Sequence, residues 1–181
     1  MADVIQIERY RWKRCADRGF ARWRERFRDE FTEDTRLTEV SDATLSALLN
    51  PVIDVENVFY EFISAVLYPD AKHPFFNLDG MARMNALEIS LFLLDQARFE
   101  CMRRMGWVDQ LPCQQFSIVE LVLRHDEIRY TFRPRIPQVT EAHPDFEEYR
   151  RLHPGERETF IRKQIPKAVQ AFEKRFLNTS R

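Results

Sequence analysis

The side chains with which this chain could do chemistry are two carboxylates on one apolar segment, four histidines, three cysteines and two rows of basic residues. Glu88 and Asp95 lie two helical turns apart on nearly one face, with Asn85 and Arg98 close by. A carboxylate buried there needs a partner, because an unpaired one takes up a proton instead. The pair reads either as an acid/base site in a pocket or as a polar seam. In a seam, each carboxylate bonds an Arg or Tyr of a neighbouring helix. The seam is the simpler reading: structural ion pairs perturb carboxylates too, and no nucleophile elbow, Walker loop or dinucleotide fingerprint accompanies Glu88 and Asp95. The sequence therefore gives no support for an enzyme, and no cofactor is expected.

His73, His143 and His153 each precede a proline, which places them at extended turns on the surface. Without Glu-x-x-His pairs the histidines exclude a ferritin-like di-metal bundle. Cys101, Cys113 and His125 recur at twelve-residue intervals, yet the chain lacks the short pairs that present two ligands from one turn. No metal is expected, only reduced thiols and a turn histidine.

Arg11, Arg14, Arg18 and Arg22 form one ridge of the first helix, and Lys163, Lys167 and Lys174 share one side of the last. Arginine binds phosphate bidentately, so such rows could track a nucleic-acid backbone. Against this, the spacing allows Arg14–Asp17 and Arg22–Glu25 pairs, and a net charge of −1 lacks a nucleic-acid binder's basic excess. A solvated helix face, or pairing with acidic segments, is preferred. Opposite the arginines, Ile5, Trp12, Ala16, Phe20, Trp23, Phe27 and Phe31 fall within about a third of the helical wheel. Trp12, Phe20, Trp23 and Phe27 are the candidate docking residues, meeting either the protein's own core or a second copy.

The elements that must position these residues follow from pattern. A chain of 181 residues suits one domain, with 1–31 as a docking arm. Apolar content of 44% supports a real core, and fifteen Phe against four Gly make it one of aromatic plates. Charge is uneven: residues 1–28 carry nine basic and four acidic side chains, and residues 29–80 carry two and eleven. Residues 81–181 carry seventeen and fourteen. Neither a secretory apolar run nor a membrane-length apolar stretch is visible, and three scattered cysteines suit a reducing cytosol.

The first helix is expected to end near Thr32–Thr35, with a bend at Gly19. Ser41 caps a helix through Leu49, stopped by Asn50-Pro51. Asp54 caps the next, in which Val55, Val58, Phe59, Phe62, Ile63 and Val66 line one side up to Pro69. Pro69–Gly80 is a loop, with Phe75 and Phe76 folding back. Asp79 caps a long helix to Met105, with Gly106 just past its end. Its apolar residues point almost all round, so its neighbours should bury it. Phe116–Leu121 combines a Ser117/Glu120 capping box with a hydrophobic staple, giving a helix over 118–125. Ile128–Arg133 alternates like a strand, so 127–133 is expected to be extended, and a hairpin through His125–Glu127 is the competing reading. Pro134 and Pro137 hold the next segment open. His143-Pro144 and His153-Pro154 each open a helical pattern. The last helix runs to about Asn178, kinked or restarted at Pro166, with Ile161, Ile165, Val169, Phe172 and Phe176 inward.

The expected fold is mainly α, a single helical domain packed around 79–105, with a small β-hairpin near 118–133 as the alternative. The expected function is a cytosolic protein–protein interaction or self-association module, as a homodimer. A nucleic-acid binder using the basic ridges is one alternative. A small-molecule site at Asn85, Glu88 and Asp95 is another.

Overall fold

The computed structural model describes residues 2–49, 54–69, 78–132 and 136–179, and for 2–9, 54–57, 112, 132 and 176–179 the backbone alone. The fold is mainly α. The described elements are α1 (Ala2–Gly19), α2 (Ala21–Phe27), α3 (Asp42–Leu49), α4 (Asp54–Leu67), α5 (Gly80–Arg104), a 3-10 turn (Pro112–Gln115), α6 (Ile118–Leu123), α7 (His125–Phe132), α8 (Phe146–Arg151) and α9 (Pro154–Thr179). Asn50-Pro51, His73, Phe75, Phe76 and Pro134, and the side chains of Ile5, Asp54, Val55 and Phe176, lie outside the described residues.

The first helix bends at Gly19–Phe20 and stops earlier than the aromatic periodicity implies. Arg28 takes a left-handed conformation (φ 60°) and its N–H closes back on the Arg24 carbonyl. Phe31 therefore leaves the helix, yet it still joins the core by stacking on Phe20 at 5.0 Å. Gly19 is required by close approach. A Cβ there would sit 2.6 Å from the Phe62 ring and 2.8 Å from Val66, so α1 meets α4 across a bare backbone. At this site packing against α4 outweighs helix propensity, which disfavours Gly by roughly 1 kcal/mol.

Ser41 Oγ accepts from the Thr44 N–H and starts α3. Asp79 does the same for α5 through the Ala82 N–H, and Gly106 (φ +75°) ends it with its N–H on the Arg103 carbonyl. Helix α5 packs against α3, α4 and α9, as a central helix should. All-round burial holds only for its second half, where Gln96, Ala97, Phe99, Glu100, Cys101 and Met102 are all buried. In the first half one face is covered, through Ala86, Ile89 and Leu93, and the other is open.

The Ser117/Glu120 box forms both of its hydrogen bonds, at 2.9 and 3.2 Å. Residues 127–132 are not extended: α7 is a helix, and neither strand nor hairpin occurs there. The apparent alternation failed because its members do not share a face, with Ile128 buried and Tyr130 exposed. Asp126 and Glu127 in the first turn, with Glu127 paired to Arg124, favour a helix start instead. Extended pairing among the described residues is limited to one bridge, Val108 to Val139. Pro166 sits inside an unbroken α9, on an exposed position, while Ile161, Ile165 and Phe172 face the core.

Candidate functional site

The aromatic residues of the N-terminal stripe are used internally. Phe20 and Trp23 are fully buried. Their rings contact each other at 5.5 Å and Phe62 at 4.7 and 5.1 Å. The indole N–H of Trp23 donates to the Val58 carbonyl at 3.3 Å. Phe27 lies edge-on to Trp23 at 5.7 Å and is partly buried, as is Trp12. Of the two expected docking targets the arm uses the chain's own α4, which removes Phe20 and Trp23 from any intermolecular surface.

The arginine ridge does not simply face water. Arg18 donates from Nε to the Ala65 carbonyl at 3.2 Å, and Arg22 pairs with Glu61, so both clamp α1 and α2 onto α4. Asp17 pairs with Arg24 rather than with Arg14. Arg14 lies 6.0 Å from the Tyr10 ring, and with Arg11 and Arg18 it edges a shallow groove floored by Val66, Leu67 and Leu123. On α9, Lys167 reaches Asp145 at 3.2 Å, whereas Lys163 and Lys174 are exposed. The two basic rows belong to separate helices and are partly neutralised within the fold.

Glu88 and Asp95 lie along one cleft bounded by α5, α7 and α9, with a volume of about 300 Å³. Neither is deeply buried. Glu88 pairs with Arg129 of α7, and Asp95 with Arg98 at 3.4 Å and Arg162 of α9 at 3.0 Å. Arg162 also takes Glu158 at 3.0 Å. Asn85 stands apart, donating to the Tyr68 hydroxyl at 3.1 Å. The cleft thus combines both sequence readings: a concavity is present, and interhelical ion pairs frame it.

Among the described residues the carboxylate that is buried outright is Glu100, which the periodicity argument passed over. It receives Arg103 at 2.7 and 2.8 Å, Arg104 at 2.8 Å and the Gln114 amide at 3.3 Å. Arg104 also reaches Asp42 at 2.5 Å and the carbonyls of Leu37 and Val40 at 3.1 and 2.7 Å. The signal was present as a Glu followed by Arg at i+3 and i+4. The saturated bonding makes this cluster a structural clamp, with no atom left to react.

Two histidines expected at turns, the proline-flanked His143 and His125, are buried instead. His143 packs between Trp107 and Phe160 at 4.8 and 5.8 Å, accepting the Asp145 N–H at its Nδ1. His125 packs edge-on to Phe92 at 5.1 Å and lines the α5/α7/α9 cleft. Cys101 and Cys113 are buried and donate to the Ala168 carbonyl and Gln96 Oε1, and burial pushes the two thiols up to about 12 and 11.

The feature that periodicity hid is the open face of α5. Met81, Met84, Leu87 and Leu91 are 79%, 68%, 45% and 54% exposed. Their spacing puts them within about a third of the helix circumference. Tyr130, next in sequence to the Arg129 that bridges to Glu88, is also exposed. Among the described residues no helix is long and apolar enough to cross a membrane. The chain matches no sequence-family model, no curated protein and no solved structure.

Proposed function

We propose that this protein is a self-association module whose copies meet through the open face of α5. The observation that carries the reading is the run Met81, Met84, Leu87 and Leu91, apolar and left in water. Isolated surface leucines are ordinary, but four large apolar side chains in a row on one helix are not. From their exposure the stripe presents roughly 500 Å², within the range of the largest apolar patch on a monomer. Two copies meeting there, with the flanking rim, bury on the order of 1,000 Å² or more, the threshold for a specific interface. Methionine suits such a surface because its unbranched thioether side chain adapts to the facing helix. A second copy is the occupant that needs no other molecule, and a two-fold pairing makes the same patch serve both sides. The reading places the module in the cytosol, supported by three unpaired thiols.

Light scattering at 50 and 500 mM salt tests this. The expected result is a dimer that persists at high salt and becomes a monomer on Met84→Asp, with the helical circular dichroism unchanged. A wild-type monomer at roughly 100 μM, a concentration well above micromolar affinities, overturns it. So does a Met84→Asp protein of unchanged mass. A mass increase seen only with added nucleic acid at low salt shifts the function to the arginine ridge.

A further inference from the structure

Helix α1 meets α4 across the bare backbone of Gly19, where a Cβ would sit 2.8 Å from Val66. Before that point α1 edges a groove of about 410 Å³ through Arg11, Arg14, Cys15 and Arg18. Val66 and Leu67 of α4 and Leu123 of α6 form the floor, which Leu67 and Leu123 leave partly open. Among the described residues the lining therefore holds three arginines and no carboxylate.

The rest of the arginine row is neutralised within the fold. Arg22 is taken by Glu61, and Asp17 pairs with Arg24. Arg11 and Arg14 are exposed and pair with no carboxylate among the described residues; Arg14 lies only beside the Tyr10 ring. Arg18 is fixed by Nε on the Ala65 carbonyl at 3.2 Å and by Nη2 on Cys15 Sγ at 3.5 Å. Steps of three and four residues put the stems of Arg11, Arg14 and Arg18 about 5–6 Å apart at Cβ. Neighbouring guanidinium groups can then share one anion. An anion alone would leave the aliphatic floor in water.

We propose that this groove binds a single-chain anionic amphiphile. A phosphate monoester head meets Arg11, Arg14 and Arg18, and its alkyl chain lies over Leu67 and Leu123. Guanidinium forks match phosphate oxygens, and two unpaired arginines suit a dianionic head. The volume lies within the range of small-molecule sites. Other anionic partners fit less well. A helix bound flat on a lipid surface turns its apolar face outward, whereas this aromatic stripe packs on α4. A single nucleic-acid strand stacks its bases on aromatic rings, and no aromatic ring is among the described lining residues.

The test is a calorimetric titration of the full chain with octyl phosphate, using inorganic phosphate, octanol and octyltrimethylammonium as controls. Octyl phosphate should bind with Kd at or below about 1 mM. It should bind at least about tenfold tighter than inorganic phosphate, through the chain laid on the floor. Arg11→Gln combined with Arg14→Gln changes two exposed side chains and should weaken it about tenfold or more. Cys15 gives a second readout, because it lines the groove and is partly buried while Cys101 and Cys113 are buried. Octyl phosphate should slow alkylation of Cys15 by iodoacetamide, and inorganic phosphate should not. Met84→Asp should leave binding intact, which separates this groove from self-association through α5. The proposal is overturned if octanol, octyltrimethylammonium or inorganic phosphate binds as well as octyl phosphate. It is also overturned if the double variant binds unchanged or Cys15 is not protected. Sedimentation with phosphatidylserine vesicles, without binding of octyl phosphate, overturns it too and reassigns the free arginines to a lipid surface.

Discussion

Arg104 and Arg103 both pair with Glu100, but they are not equivalent. Arg103 is one-third exposed and its described hydrogen bonds go to Glu100 alone. Arg104 is mostly buried and also holds the carbonyls of Leu37, Thr38 and Val40, tying the segment before α3 to α5. Removing Arg104 leaves three acceptors and part of a buried carboxylate unpaired at once. Arg104→Ala should therefore cost about 3 kcal/mol, and Arg103→Ala about 1 kcal/mol. Urea denaturation of the two variants measures the difference, and equal midpoints would mean the carbonyl contacts add nothing. The same contrast explains what the sequence concealed. Glu88 and Asp95 stood out because acids are rare on an apolar face, but rarity does not report depth. Burial depends on which half of α5 the neighbouring helices cover, a property of packing that one helix's pattern does not contain.

At the scale of elements, boundaries with a chemical cap were readable and those set by tertiary contact were not. Ser41, Asp79 and Ser117 each satisfy an orphan N–H of the first turn, so local sequence suffices. Helix α6 is only six residues long, too short to persist on propensity, and depends on its cap and its buried face. Ser117→Ala should cost about 1 kcal/mol in unfolding free energy, with Glu120→Ala costing less because Ser117 Oγ still accepts. Chemical denaturation followed by tryptophan fluorescence checks both. A Ser117→Ala protein as stable as wild type would show that α6 is held by packing alone. Helix α7 illustrates the opposite case. Ile128-Arg129-Tyr130-Thr131-Phe132 has strand-like alternation, yet the chain turns at Arg124 and resumes as helix, with the Ile128 N–H on the Arg124 carbonyl at 2.8 Å. Charge at the first turn decided this, and a period-two count ignores charge.

For the whole molecule, the C-terminal half closes around His143. Trp107, Phe160 and the Asp145 N–H surround its ring, which joins the bridge at Val108–Val139 to α8 and α9. Burial lowers its pKa below the usual 6.5. The Asp145 carboxylate opposes that shift and Lys167 adds to it. The sign of the consequence follows from proton linkage. At neutral pH both folded and unfolded chains keep this imidazole uncharged, and its packing contributes fully. As pH falls below about 6.5 the unfolded chain binds a proton that the folded chain refuses, so stability declines. The decline continues until the pH passes below the lowered folded value, where both states are protonated. Unfolding midpoints measured between pH 7.5 and 5 should therefore fall for the wild type, before the carboxylates begin to titrate. His143→Phe keeps an aromatic ring between Trp107 and Phe160 but has nothing to protonate. It should start less stable, having lost the acceptor for the Asp145 N–H, and should show a shallower dependence on pH across that window. An unchanged slope in His143→Phe would place the proton uptake on another group and remove His143 as the acid-sensitive point of the fold.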